Sequence, residues 1–228
     1  MHTTKDNIQI LFEDNHLIII NKRVGDLVQG DKTGDKPLNE IVKSYIKDKY
    51  NKPGEVFLGV VHRIDRPTSG VVIFARTSKA LVRLNEALRN KEIKKTYWAI
   101  VKNPVVKSED SLTHYLVKNQ RNNKATAYPK DVKGSKKAVL HYKKIQTFDT
   151  YALLEIELET GRHHQIRIQL ATIGLPIKGD LKYGFNRSNK NGGIHLHARN
   201  ISFLHPVKKE QISIEAPTPK DVLWDLCQ

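Results

Sequence analysis

One polar segment of the chain carries the residue types of an acid–base site. It runs from His62 to Gly70, with the sequence His-Arg-Ile-Asp-Arg-Pro-Thr-Ser-Gly, between two apolar stretches of strand length. Asp65 lies between Arg63 and Arg66, two cations that favour an ionised carboxylate and could also bind phosphate. Loops held by rigid elements often carry catalytic groups. Asp, Pro, Thr, Ser and Gly also form ordinary turns, and composition alone favours the turn.

A second polar segment, Gly161–Arg167, has the sequence Gly-Arg-His-His-Gln-Ile-Arg and opens a predicted helix over 165–173. Amides at a helix N-terminus favour anions. His164 and Arg167 are three residues apart and share a helix face, and His163 and Arg167 are four apart. The pattern indicates an anion site, although a solvated basic helix face explains it equally well.

The histidines suggest a metal site only weakly. His163 and His164 are adjacent, and His195 and His197 alternate along a predicted strand, so the latter two point to one face. No His-Glu-x-x-His pattern or cysteine pair accompanies them, and the carboxylates are scattered. We therefore expect no metal.

Two aromatic residues lie in a predicted strand over 96–101. Alternation turns one of Tyr97 and Trp98 inward and the other outward. Core packing is the usual role of such side chains. An active-site tyrosine is the alternative, and composition does not choose between them.

The elements that must position these segments form a mixed α+β pattern. Apolar residues recur at helical spacing after Pro37 and again over 78–90. Strand patterns dominate the second half, and no linker separates two domains. We expect one domain over 1–228, built on a largely antiparallel sheet. The predicted strands are 8–12, 17–21, 71–75, 96–101, 139–145, 151–158, 201–204 and 211–215.

Charge points to a polyanionic partner. The chain has 39 Lys and Arg against 24 Asp and Glu, a net charge of +15. Nucleic acid is favoured over membrane because no basic amphipathic helix stands out. No apolar run approaches the roughly 20 residues of a membrane helix. Cys227 is the only cysteine, and the polar N-terminus lacks a secretory signal, so we expect a cytoplasmic protein.

Together these segments resemble the RluA-type family of pseudouridine synthases. The resemblance runs in order from about residue 11 to 217. It is carried by Phe12-Glu13-Asp14-Asn15 with Ile18–Lys22, by the His62–Gly70 loop, by Lys95-Thr96-Tyr97-Trp98-Ala99, by Gly161–Arg167, by Gly174–Asp180 with Tyr183-Gly184, and by His195–Ala198 with His205-Pro206. Departures are small: Ile64 replaces the commoner Leu, and His163 replaces a small polar residue.

The resemblance implies a fold and residue roles. The fold is a mixed, mostly antiparallel eight-stranded sheet in two halves flanked by helices and loops, without an S4 module. Asp65 would be the catalytic carboxylate, Arg167 its basic partner and Tyr97 the residue that stacks on the target uracil. Arg63 would fill the gap left by a flipped base, and Ile166 would help to wall the pocket. The further expected RNA contacts are His62, Arg66, Arg162 and His163.

The implied activity is isomerisation of a uridine in structured RNA to pseudouridine, without a cofactor. We expect a monomer that acts on an rRNA or tRNA stem-loop, with 23S rRNA favoured. Two alternatives remain. One is a non-catalytic RNA-binding or ribosome-assembly protein on the same fold, and the other is a metal-dependent RNA hydrolase that uses the histidines.

Overall fold

The computed structural model describes residues 3–31 and 33–227, and these form an α+β protein. The strands are β1 (Ile10–Glu13), β2 (Leu17–Lys22), β3 (Gly59–Val60), β4 (Ser69–Ala75), β5 (Lys94–Lys102), β6 (Glu109–Asn119), β7 (Lys124–Tyr128), β8 (Lys136–Thr147), β9 (Tyr151–Leu158), β10 (Leu196–Leu204) and β11 (Gln211–Glu215). The helices are α1 (Leu38–Lys49), α2 (Ser78–Arg89), α3 (Gln165–Thr172), α4 (Val222–Asp225) and a 3-10 turn at Leu181–Tyr183. In this part of the chain, no helix is both long and apolar enough to cross a membrane.

The chain divides into two compact units. Unit 1 comprises the residues up to Lys94 together with Ala198–Asp221, and unit 2 comprises Lys95–His197 together with Val222 onward. The expectation of one catalytic domain concerns how the two units act together, and it stays a prediction.

Unit 1 has its core on both faces of the β2–β4 pair. The two strands are antiparallel, and every residue of both is buried. Because side chains alternate along a strand, Ile18 and Ile20 pack with α1 on one face. Leu17 and Ile19 pack with α2 and β10 on the other face. Burial on both faces explains why the sequences of β2 and β4 read as continuous apolar runs.

Unit 2 is an antiparallel sheet in the order β5-β9-β8-β6-β7, with α3 held against it. Gln169 of α3 is fully buried. Its amide nitrogen donates to the carbonyl oxygens of Leu112 at 3.0 Å and Ala138 at 3.2 Å. These bonds tie the helix to β6 and β8, which is how a polar residue is accommodated in a core.

The α+β class with mostly antiparallel strands is confirmed. The described residues contain eleven strands where the resemblance implied eight, partly because short segments such as the two-residue β3 are counted separately. The hairpin of β6 and β7 was not predicted. Its residues are mostly polar, and its buried Leu112 and Leu116 are four positions apart instead of alternating with polar residues.

A glycine ends the polar loop where β4 lies beside Ala198 of β10. Gly70 has φ +114, a conformation that L side chains rarely adopt. A Cβ built at this position would lie 2.3 Å from the carbonyl oxygen of Ala198. Only glycine therefore allows the backbones to approach this closely.

Replacing Gly70 with Ala should destabilise unit 1 strongly. We expect Gly70→Ala to lower the free energy of unfolding by roughly 2 kcal/mol or more, because strained backbone and a displaced neighbouring strand both contribute. Gly54→Ala is the matched control, since a Cβ at Gly54 meets nothing within 4 Å and its φ is not positive. Chemical denaturation measures both, and equal stability of the two variants would contradict this account of β4.

Candidate active site

The His62–Gly70 loop is fixed near both ends, with Asp65 at its turn. The His62 ring accepts a hydrogen bond at Nε2 from the Ile73 amide of β4, at 3.2 Å. The Thr68 amide donates to the Asp65 carbonyl oxygen at 3.0 Å, which closes the turn. Asp65 is half-buried, whereas Thr68 is buried. The loop therefore presents the Asp65 carboxylate from an ordered backbone.

A buried lysine holds this turn from below. Lys22, the last residue of β2, is 1% exposed. Its ammonium donates to the carbonyl oxygens of Arg66 at 3.1 Å and Arg23 at 2.9 Å. The Gly25 amide donates to the same Arg66 oxygen at 2.9 Å. We predicted no role for Lys22 from the sequence, although its position in the same strand as the apolar run Leu17–Ile20, separated from that run only by Asn21, was a usable signal.

Lys22 interacts electrostatically with Asp65, the candidate catalytic residue. Burial lowers the pKa of Lys22 to about 7. The carboxylates of Asp26 and Asp65 oppose this shift, and the Arg66 guanidinium adds to it. Below pH 7, where Lys22 is charged, its ammonium and the Asp65 carboxylate attract each other in partly desolvated surroundings, where charge interactions are stronger than in water.

Two arginines flank Asp65 on the exposed side of the loop. Arg63 donates from Nη1 to Gln29 Oε1 at 3.3 Å, and Arg66 pairs with Asp35 at 2.6 Å. Both guanidinium groups are exposed, and an exposed ion pair contributes about 0 to 1 kcal/mol. These exposed contacts are weak enough for an anionic ligand to replace them.

The two aromatic residues of β5 differ in burial as alternation predicts. Tyr97 is 7% exposed and lies opposite Ile156 of β9. Trp98 is half-buried, and its Nε1 donates to Glu155 Oε2 at 3.4 Å. Tyr97 is thus the inward residue.

The Gly161–Arg167 segment turns sharply into α3. His164 stands at the helix N-cap with φ 53, in the left-handed region. The Gln165 side chain accepts from the Arg162 amide at 3.0 Å and from the Thr160 hydroxyl at 2.8 Å, and it donates to the Val139 carbonyl oxygen at 3.0 Å. Gln165 therefore fixes the turn on β8, a role that the sequence did not reveal.

Within unit 2, Arg167 has a carboxylate partner that was not foreseen. Asp180 accepts two hydrogen bonds from its guanidinium, Nε to Oδ2 at 2.7 Å and Nη2 to Oδ1 at 2.8 Å. Arg167 is 4% exposed and Asp180 is 1% exposed. The guanidinium carbon also lies 5.1 Å from the centre of the Tyr183 ring. This two-point ion pair fixes the orientation of Arg167.

The other residues predicted near α3 occupy different environments. Arg162 is exposed, His163 is half-buried and stacks on His164 at 3.7 Å between ring centres, and Ile166 is 5% exposed. His164 Nδ1 and the Tyr183 hydroxyl are 2.8 Å apart. Burial, with Arg167 as the leading cation among its neighbours, lowers the pKa of His164 to about 2. His164 is therefore neutral at physiological pH.

The histidines of the metal hypothesis have other neighbours. The rings of His195 and His197 lie 5.3 Å and 5.9 Å from the Trp224 indole of α4. Within residues 3–31 and 33–227, no group of three or more His, Cys, Asp or Glu side chains is arranged to hold a metal.

A cavity of about 680 Å³ lies in unit 1 beside Arg66. Its lining carries both signs of charge, with Asp6, Asp26, Asp35 and Asp48 beside Lys5, Lys36 and Arg66. Asp65 does not line it, so this cavity does not include the candidate catalytic carboxylate.

The site residues predicted from the sequence lie in two segments, with Tyr97 apart from both on β5. The loop of unit 1 carries His62, Arg63, Asp65 and Arg66. The start of α3 in unit 2 carries Arg162, His163, Ile166 and Arg167, and Tyr97 lies on β5 of the same unit.

Comparison with known proteins agrees with this pattern of motifs. A family model described as RNA pseudouridylate synthase matches residues 16–172. The ribosomal large subunit pseudouridine synthase C of Buchnera aphidicola is 37% identical over 227 residues, which cover 96% of this chain and 70% of that protein. The synthase D of Xylella fastidiosa is 33% identical over 234 residues, covering 97% of this chain and 68% of that protein.

Solved structures agree on the fold. The human RNA pseudouridylate synthase domain containing 4 superposes with a TM-score of 0.79 at 24% identity, covering 96% of this chain and 92% of that chain. Motifs, curated relatives and fold lead to one conclusion: this chain belongs to the RNA pseudouridine synthase family, with the RluA-type synthases of the ribosomal large subunit among its relatives.

Proposed function

We propose that this protein isomerises a uridine of large-subunit rRNA to pseudouridine and that Asp65 is the catalytic carboxylate. The observation that carries the proposal is the anchoring of the Asp65 turn by the buried ammonium of Lys22. A merely structural turn on the surface does not need a buried lysine beneath it. Desolvating that ammonium costs free energy, which is justified if the turn must hold a reacting group.

The reaction suits a site that has one carboxylate and several cations. The N1–C1′ bond of uridine breaks, the uracil turns, and a C5–C1′ bond forms, while the C5 proton moves to N1. Reactant and product contain the same atoms, so the reaction needs no redox cofactor or cosubstrate. Asp65 could act as a nucleophile at C1′ or as a base at the 2′ proton, and either route requires the ionised carboxylate.

We assign supporting roles to three further residues. Tyr97, the inward residue of β5, offers an aromatic face to the uracil. Arg167 supplies a positive charge whose direction Asp180 fixes. Arg63 is exposed beside Asp65, so its guanidinium is free to enter the space that a flipped base leaves.

Large-subunit rRNA is favoured over tRNA as the substrate. Several relatives carry ribosomal large subunit in their names, and a net charge of +15 suits a heavily charged RNA. Modification of rRNA would place the protein with ribosomes in the cytoplasm. We also propose that it acts as a monomer, which size-exclusion chromatography checks.

Pseudouridine mapping tests the proposal. Total RNA from cells lacking the gene should lose pseudouridine at one or a few large-subunit rRNA positions, and a plasmid copy should restore it. Loss only from tRNA would correct the substrate. No loss from any RNA would favour the alternative, a non-catalytic RNA-binding or ribosome-assembly protein on this fold.

Arg63→Ala should slow base flipping more than it weakens docking. The guanidinium is assigned to the space left by the base, so turnover on a structured stem-loop should fall further than RNA affinity. Flipping a stacked base costs a few kcal/mol, and less when the base is already unstacked. The defect should therefore shrink on an RNA whose target uridine is already unstacked. Single-turnover rates and binding titrations on both RNAs measure this, and equal losses on both would assign Arg63 another role.

Lys22→Met should change how stability depends on pH. The pKa of Lys22 is about 7 in the folded protein, and its ordinary value of 10.5 applies to the unfolded chain. Between pH 7 and pH 10.5 Lys22 is therefore protonated in the unfolded chain and mostly neutral in the folded protein. The cost of burying the ammonium is therefore complete below pH 7 and is relieved as the pH rises. From pH 6 to pH 9 the wild type should gain on the order of 2 kcal/mol relative to Lys22→Met. Denaturation at each pH measures the free energy of unfolding of both proteins. If that free energy changed equally with pH in the two, Lys22 would not titrate in this range.

A further inference from the structure

Two segments of unit 2, the β6–β7 hairpin and the stretch around α3, are rich in basic residues and poor in acidic ones. From Ser111 to Lys130 the sequence contains no acidic residue, and between Glu159 and Glu210 its only one is Asp180. Asp180 is buried against Arg167, so that carboxylate is already neutralised. Positive charge in these segments is therefore not cancelled by neighbours in sequence.

The strand register brings several of these cations together. Lys118 precedes Asn119, which pairs with Lys124 across the β6–β7 hairpin. The turn between the strands carries Arg121. All three basic side chains are exposed. We name Lys118, Arg121 and Lys124 the hairpin cations.

Neighbouring elements add to the same positive region. Lys182 donates from Nζ to the carbonyl oxygen of Asn123 in the hairpin turn at 3.1 Å. Lys124 Nζ lies 5.4 Å from the centre of the Tyr183 ring, and the Tyr183 hydroxyl accepts from the Ala125 amide at 2.8 Å. These contacts connect the hairpin to the start of α3, because Tyr183 also contacts His164 there.

The opposite end of the sheet carries both signs of charge. A groove of about 490 Å³ there is lined by Glu109 and Asp110 of β6, by Glu155 and Glu157 of β9, and by Lys143 of β8. Lys107 also pairs with Asp110 at 2.8 Å. A polyanion therefore finds carboxylates beside the cations at this end, whereas the hairpin segment from Ser111 to Lys130 has none.

We propose that the hairpin cations form a docking site for the RNA backbone, separate from the residues that act on the target uridine. This proposal rests on the proposed function. Its occupant is a run of RNA phosphates outside the target nucleotide. Exposed lysine and arginine side chains on a hairpin suit phosphates, which require charge more than sequence readout. The affinity for RNA then depends on the hairpin cations, whereas the rate of uridine isomerisation depends on the Asp65 loop.

A triple variant with a charge-matched control tests the docking site. Lys118, Arg121 and Lys124 are changed to Gln in one variant, and exposed Lys47, Lys79 and Arg89 on the helices of unit 1 are changed to Gln in the other. Each variant loses two lysines and one arginine. The probes are a large-subunit rRNA transcript for binding and total RNA labelled with 5-tritiated uridine, from cells lacking the gene, for turnover.

The hairpin variant should bind more weakly and with a shallower salt dependence. Losing three phosphate contacts reduces the slope of log affinity against log salt by about 2, so wild-type affinity should fall roughly 16-fold more than that of the variant between 50 and 200 mM salt. Turnover at saturating RNA should stay near the wild-type rate. The control variant should keep the wild-type slope.

The outcomes separate this inference from the proposed function. Equal slopes for the two variants would overturn the docking site while leaving tritium release intact. Absence of tritium release by the wild type would overturn the proposed function, whatever the slopes. If the triple variant melts early, Lys118→Gln with Arg121→Gln serves in its place, because it leaves the contact of Lys124 with Tyr183 untouched.

Discussion

The buried ammonium of Lys22 is the interaction on which the candidate site of unit 1 depends. It lies at the end of a strand with no exposed residue, and it binds the backbone of the Asp65 turn through the Arg66 carbonyl oxygen. Removing a lysine from water is costly, as its pKa of about 7 reflects. That cost gives the turn a fixed backbone and, below pH 7 where Lys22 is charged, gives the Asp65 carboxylate a nearby cation. The glycine at position 70 and the His62 ring then fix the rest of the loop to β4.

Unit 2 solves a similar problem with a different pair. Arg167 is buried, and an arginine does not lose its charge, so a partner is required. Asp180 provides two hydrogen bonds, and Tyr183 packs beside the guanidinium. Breaking such a pair leaves a buried charge unpaired, which costs more than the pair contributes. Arg167 and Lys22 are both buried, so each must keep its hydrogen bonds to its partners. Their positions can therefore vary little.

The parts of this arrangement that follow local sequence rules could be predicted. Continuous apolar runs predicted β2 and β4, helical spacing predicted α1 and α2, and the Gly-Arg-His-His turn predicted the start of α3. The roles of Lys22 and Asp180 could not be predicted from local patterns. Burial of lysine opposes its usual preference, and Asp180 meets Arg167 only through tertiary structure, 13 residues along the chain. The β6–β7 hairpin was missed because its polar residues lack the alternation that reveals a strand.

The central claim is that the carboxylate of Asp65 takes part in the chemical step, and tritium release from 5-tritiated uridine in RNA tests it most directly. Asn has nearly the shape of Asp but no charge, so Asp65→Asn should melt near the wild-type temperature and bind RNA with similar affinity. Asp26→Asn is the matched control, since Asp26 also interacts electrostatically with Lys22. We expect tritium release to fall by several orders of magnitude in Asp65→Asn and to stay near the wild-type rate in Asp26→Asn. Near-normal release by Asp65→Asn would contradict the central claim.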